Sequence, residues 1–471
     1  MRPDCNGRHR LPTTVGSAVR SADWWAVTAL GLLVMLAWAI HGPAHARVDD
    51  QDALLRFEHD GQSLELPLLD PHLTTALADE SLRLYRFDPT LGLAVGSVMV
   101  VATEPGAPAH AGRFAGLADA GSLLGTFDGI RYHAVRAPSA DAMPHWLSLL
   151  AALPGVRGAW PDLLKVELAG GASAVVQPHY DQADFSLVDA LAIEPLWQRG
   201  DGSGVRVAII DAAVDPAVPG LSARPVTLRD PWPDIRALPS ASPGQGHGTR
   251  VASVIAAVDG EHRLRGVAPG VELISIALRS TWTSELIAAL YQAVESGADV
   301  VVCPWDDPLV LAPVADLLTH LSVAGRDGRG MLFVVAAGNR HYDSGGKDSL
   351  ANLDSTLSVT ALDHRGRVVG AFGRGVDIAA PSMLPVLPRR ADGQPSFLGK
   401  TSAATPVVAG TAALLWSAYP DLHASDVRRI LRESAAPLSA SADDGVKAHG
   451  FGALAPEAAF EQAAKQLEAS P

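Results

Sequence analysis

Val205-Arg206-Val207-Ala208-Ile209-Ile210-Asp211 is a short β-branched, apolar run that ends on a carboxylate. It reads as a buried strand, and the pattern repeats downstream, with strands at Val271–Ala277, Asp299–Cys303 and Leu332–Ala336. Helical patterns separate them, at Thr249–Ala257, Ser284–Ser296, Ala312–Val323, Ser402–Trp416 and Ser425–Glu433, the last with Ser425 as N-cap and Asp426 in its first turn. This alternation from about Gln177 onward predicts an α/β fold whose mostly parallel sheet is flanked by helices. Function in such sheets gathers at the carboxyl ends of the strands, which is where Asp211 stands.

At 471 residues the chain has room for two to three domains. Charged residues make up only 19% against 48% apolar ones, so a large core is available. The net charge of −14 supplies no basic face for phosphates, which argues against a nucleic-acid partner. Residues 1–46 have the pattern of an export signal. Arg2, Arg8, Arg10 and Arg20 precede the charge-free run Trp24–Ile40, and Ala44-His45-Ala46 has the small-x-small form of a cleavage site. The run of 17 residues is slightly short for a bilayer span. The expected location is secreted or periplasmic, and the alternative is membrane attachment through residues 24–40 alone. Of the two cysteines, Cys5 lies in this segment and Cys303 lies in an apolar run, so Cys303 is expected to be an inert buried thiol.

Between the signal and the strand–helix alternation, residues 47–94 form an unassigned extension. From residue 95 the pattern sharpens. Val98–Thr103 and Arg131–Arg136 are strand-like and Ala111–Leu124 is rich in helix formers. Asp141–Leu153 carries the helical stripe Met143, Trp146, Leu147 and Leu150, and Val156–Trp160 completes a β-α-β-β-α-β-like order. Residues 95–170 thus read as a small α+β domain, 171–184 as a linker and 185–471 as the main domain.

Taken singly, the polar residues of the main domain are ambiguous. An Asp after a strand is often a turn former, a His between glycines a turn residue, a Ser before an Ala-rich run an N-cap, and Gly-Asn a turn. Together, Asp211, His247, Ser402 and Asn339 supply what acyl transfer by serine requires: an orienting carboxylate, a base, a nucleophile and an oxyanion donor. Their order, Asp then His then Ser, is the one known from subtilisin. The surroundings Ile209-Ile210-Asp211, His247-Gly248-Thr249, Ala336-Ala337-Gly338-Asn339 and Thr401-Ser402-Ala403-Ala404-Thr405-Pro406 carry a resemblance to the subtilisin-like (subtilase) serine proteases. Gly266-Val267-Ala268-Pro269 and Gly450-Phe451-Gly452 agree with it, and the segment ending near Trp160-Pro161-Asp162 resembles the end of a subtilisin-type propeptide.

The resemblance implies a protease made as a precursor, with a peptide or protein substrate and its own propeptide as partners. Ser402 is implied as nucleophile, His247 as base, Asp211 as its orienting partner, and the Asn339 amide with the Ser402 N–H as oxyanion donors. No cofactor or metal is needed for this chemistry; calcium sites are common in the family, but no ligand loop can be assigned here. Departures stand beside the match. Ala212-Ala213 follow Asp211, Pro304-Trp305-Asp306 replace a stretch that pairs with substrate backbone, and Lys400 replaces a glycine. A lysine there is expected only with negative φ or in a rebuilt loop. Three readings follow: an active exported endopeptidase, a pseudoprotease that binds peptides or proteins, and an envelope protein anchored by its N-terminal helix.

Overall fold

The strand Leu91–Thr103, buried along its whole length, organises the N-terminal part of the molecule. In the computed structural model, residues 54–59, 62–69, 82–89, 91–105, 122–168, 186–226, 228, 246–260, 264–339, 349–388, 396–438 and 450–469 are described, all within one unit, Leu54–Pro471. An antiparallel hairpin of β1 (Leu54–His59) and β2 (Gln62–Pro67) comes first. β3 (Arg83–Arg86) pairs antiparallel with the start of the long strand, β4, and β6 (Ile130–Arg136) with its end. β5 (Ser122–Phe127) pairs with β6, and β7 (Val156–Glu167) runs along the other edge of β4. Helix α1 (Met143–Ala151) buries Met143, Leu147 and Leu150 against this sheet, while Trp146 of the expected stripe is only half-buried.

Three expectations change here. The boundary placed at residues 94 and 95 falls inside β4, because hydrogen bonding to β3 and β7 continues through Ala94 and Val95. The expected last strand, Val156–Trp160, runs on to Glu167 for the same reason. The helix-rich stretch Ala111–Leu124 lies mostly outside the described residues, and its last residues, Ser122–Leu124, open β5. The expected signal segment, residues 1–46, and the whole of the expected linker, residues 171–184, also lie outside them.

The main domain is built on an eight-stranded sheet in which every pairing is parallel. In chain order its strands are β8 (Arg206–Asp211), β9 (Ala223–Val226), β10 (Glu272–Ala277), β11 (Val300–Cys303), β12 (Leu332–Ala336), β13 (Thr356–Leu362), β14 (Ile378–Pro381) and β17 (Gly452–Ala453). Their spatial order is β17-β14-β13-β12-β11-β8-β10-β9. A small hairpin of β15 (Leu384–Val386) and β16 (Ser396–Leu398) stands outside the sheet. Successive strand residues point to opposite faces, so β8 sends Val207 and Ile209 into one core and Ala208 and Ile210 into the other. The first core is closed by helices α2 (His247–Ala256), α5 (Lys400–Ala418), α6 (Ala424–Glu433) and α7 (Pro456–Ala469). The second is closed by α3 (Thr283–Glu295) and α4 (Ala312–Gly328), whose regular path breaks at Gly325. α5 is apolar nearly all round because it is enclosed: Thr401 to Trp416 are all buried. The N-cap of α6 is His423 rather than Ser425. The His423 N–H donates to Asp426 at 3.3 Å, which places the helix start two residues earlier than the Ser-Asp pattern suggests.

The N-terminal sheet is not a satellite, because most of its buried side chains belong to the same cluster as α3 and α4, while Leu84, Ala94 and Leu164 pack with Trp282 in a smaller one. Tyr291 of α3 meets the Phe127 ring edge-on at 5.7 Å. No side chain caps α3 from its own N-cap residue, Trp282; instead Asp162 of β7 accepts from the Ser284 N–H and hydroxyl, both at 2.8 Å. Lys165 of β7 forms a 2.7 Å ion pair with Asp307, at the exit of β11, with side chains only 11% and 4% exposed. Lys165→Met leaves the Asp307 charge buried without its cation and is expected to lower unfolding stability by about 3 kcal/mol. Adding Asp307→Leu recovers part of that loss; urea unfolding of both proteins measures it.

Candidate active site

Asp211 closes β8 with no exposure at all, so an ionised carboxylate there must be met by donors. The Ala212 N–H donates to it at 2.6 Å, and both carboxylate oxygens lie 2.8 and 2.9 Å from His247 Nδ1. A carboxylate offers only acceptors, so Nδ1 carries the proton and Nε2 keeps its lone pair as the basic nitrogen. Two glycines permit this approach. Gly246 has φ of 81°, a left-handed turn into α2, and a Cβ on Gly248 would stand 1.9 Å from the Ala212 carbonyl oxygen. Thr249 completes the corner by accepting from the Asp215 N–H at 2.9 Å. The motif Gly246-His247-Gly248-Thr249 is thus a packing solution for seating one imidazole against the end of the neighbouring strand.

Asn339 follows β12 and is exposed. Its side-chain oxygen accepts from the Thr401 N–H at 3.1 Å and the Thr401 hydroxyl at 2.8 Å. These two bonds fix which end of the amide is which and leave the NH₂ group as the outward donor. Ser402 follows Thr401 in the first turn of α5, where backbone N–H groups have no partner within the helix and the dipole favours negative charge. Its hydroxyl caps nothing: it donates to the Pro304 carbonyl at 3.0 Å. The ordinary explanations for these residues, N-cap and turn, therefore do not describe Ser402 or Asn339. The described residues place Asp211 with His247, Asn339 with Thr401, and Ser402 with the exit of β11.

Several contributors were not legible from residue type. Thr401 lay inside a recognised motif, but its grip on Asn339 needs two chain segments in contact. The Pro304 carbonyl acts through the backbone, and side-chain identity says nothing about it; the missing proline N–H leaves that carbonyl intact. The Trp305 indole N–H donates to the Ile210 carbonyl at 2.7 Å, tying the exit of β11 to the strand that bears Asp211. Cys303 is buried and free, as expected, and burial pushes its thiol well above the ordinary range, with Asp211 and Asp307 adding to the effect. Among the described residues no group of three or more His, Cys, Asp or Glu side chains stands together to hold a metal ion.

Lys400 overturns the expectation of a negative φ. Its φ is 55°, left-handed, and it opens α5 with its ammonium 3.4 Å from the Asn339 carbonyl oxygen. The conformation expected of glycine is kept, and the lysine bears the strain.

A parallel α/β sheet with a buried Asp–His pair at one strand end, and a serine at the start of an enclosed helix, defines a protein of the serine-hydrolase class. The subtilase family model matches residues 202–453, and this chain belongs to that family of serine proteases. Subtilisin Savinase from Lederbergia lenta is 30% identical over 247 residues, covering 51% of this chain and 86% of that protein. Subtilisin DY from Bacillus licheniformis is 32% identical over 207 residues, covering 42% and 73%. Among solved structures, MycP1 with its N-terminal propeptide removed is similar with a TM-score of 0.47 and 25% identity, over 58% of this chain and 96% of that one.

Left-handed backbone costs a residue with a Cβ roughly 1–2 kcal/mol, and glycine gives back about 0.4–1 kcal/mol through its freer unfolded state. Lys400→Gly is therefore expected to raise stability by up to about 1 kcal/mol. Lys400→Ala, which keeps the Cβ, is expected to gain nothing. Thermal unfolding of the three proteins side by side checks this.

Proposed function

We propose that this chain is an exported serine endopeptidase, made as a zymogen, which hydrolyses peptide bonds through an acyl-enzyme on Ser402. The observation that carries the reading is the buried Asp211 carboxylate holding His247 Nδ1 through both oxygens, which leaves Nε2 as a base. Ser402 then attacks the substrate carbonyl as its hydroxyl proton passes to Nε2. The tetrahedral oxyanion is received by the Asn339 NH₂ group and the Ser402 N–H at the positive end of α5. His247 returns the proton to the leaving amine, and water repeats the sequence on the acyl-enzyme to release the acid. Asp211 stays ionised throughout and balances the imidazolium. Ser402 and then water give up a proton to His247, which passes it to the leaving amine and then back to Ser402.

The zymogen part rests on the N-terminal sheet. It meets α3 through Asp162 and Phe127 and the exit of β11 through Lys165, and its last strand is followed by residues 169–185 and then the catalytic domain. Export rests on residues 1–46, which lie outside the described residues. A second reading, a peptide-binding module without turnover, draws on one observation: the Ser402 hydroxyl points to the Pro304 carbonyl. Rotation about a single side-chain bond releases that hydroxyl from Pro304, so this bond by itself does not exclude turnover.

A fluorophosphonate serine probe is expected to label the protein at Ser402, and Ser402→Ala is expected to accumulate uncut between residues 165 and 190 while the parent is clipped there. Absence of label refutes the protease reading, and equal clipping of both proteins refutes self-processing. Asn339→Ala is expected to lower kcat by about 10²–10³ with little change in KM, because its amide meets charge that exists only during reaction. Steady-state kinetics on a peptide substrate read out both constants.

A further inference from the structure

Lys400 contradicts three local preferences at once, two positions before the nucleophile. It holds a left-handed φ of 55°, where a side chain is unfavourable. It places a cation at the start of α5, the end of a helix that favours anions. Its ammonium has one long hydrogen bond, 3.4 Å to the Asn339 carbonyl, and no carboxylate partner among the described residues. Of the carboxylates at the exits of β8 and β11, Asp211 is engaged by His247 and Asp307 by Lys165, and the exposed Asp306 also has a partner of its own. An ammonium has three donors, so at least two remain for a ligand. Among the described residues nothing repays the lysine.

The position of the group says which ligand. Asn339, whose carbonyl the ammonium touches, is the residue whose amide faces the acyl oxygen, and Thr401, next to Lys400, fixes that amide. The ammonium therefore lies beside the scissile bond rather than at a remote part of the cleft. We propose that Lys400 is a specificity-determining residue that selects peptides with an Asp or Glu side chain directly flanking the scissile bond. This rests on the protease reading above. The acidic side chain supplies the missing partner: it accepts the free ammonium donors in a charge-assisted pair that remains open to screening by salt. An uncharged side chain of the same shape leaves the ammonium as it is in the free enzyme, so discrimination falls mainly on the acidic group.

The test uses the full-length chain and paired fluorogenic peptides, Asp against Asn and Glu against Gln, placed on either side of the cut. Labelling by the fluorophosphonate probe is recorded in parallel. The expected result is a kcat/KM for the acidic peptide about 5- to 10-fold above its neutral twin, on one side of the bond, narrowing as salt is raised. That ratio is expected to fall to about 1 in both Lys400→Met and Lys400→Gly, to persist in Lys400→Arg, and to invert in Lys400→Glu. Lys400→Gly accommodates the left-handed backbone without strain, so its loss of discrimination reports the charge and not a fault in folding. A labelled parent whose ratio is near 1 on both sides, or unchanged by Lys400→Gly, overturns the role of Lys400 and leaves the protease reading standing. A parent that takes no label overturns that reading and this inference with it.

Discussion

A charged carboxylate with no exposure to water is the constraint around which this catalytic domain is arranged. Asp211 can be buried only because two N–H donors reach it, one from Ala212 beside it in the chain and one from an imidazole on another helix. The second donor sets conditions on everything nearby. α2 must begin within van der Waals contact of the loop after β8, which Gly248 allows, and must turn in through a left-handed residue, which Gly246 allows. The loop itself is held from both sides, by the Val214 N–H on Ser275 of β10 and the Asp215 N–H on Thr249 of α2. Ala212 and Ala213 depart from the familiar pattern without disturbing this, because the contacts that matter come from the backbone.

The same logic, burial of charge satisfied from a distance, joins the N-terminal sheet to the catalytic domain. Asp162 serves as the cap that α3 lacks, and Lys165 neutralises an aspartate at the exit of β11. Each of these groups, left alone, would carry a desolvation cost, so the two parts of the chain are mutually dependent at these points. The apolar contacts around Phe127 and Tyr291 add area without direction, whereas the cap and the ion pair fix register.

Strain and charge at the start of α5 belong to the same account. Thr401 contributes by hydrogen bonding, Ser402 by its place in the first turn, and Lys400 by a charge that the fold itself does not use. Three successive residues thus differ in what they present, a strained cation, a grip on Asn339 and a hydroxyl, with the enclosed remainder of the helix as their support.

The sequence by itself determined the class of fold and singled out the candidate site residues. Strand runs such as Val205–Ile210 must be buried on both faces, and residues of restricted use, Asp after a strand, His between glycines, Ser before an Ala-rich helix, have few reasons to occur in that order. Element edges were less legible. Ser425 gave way to His423 as cap, and the boundary near residue 94 gave way to a strand starting at Leu91, because caps and strand ends depend on partners distant in the chain. Tertiary structure alone decided the tautomer of His247, the direction of the Asn339 amide and the carbonyl that meets Ser402. It also decided that Lys400 keeps a left-handed backbone. Residue type specifies which hydrogen bonds and conformations are possible; only the packing of separate segments fixes which of them form, since each needs a second group brought within about 3 Å.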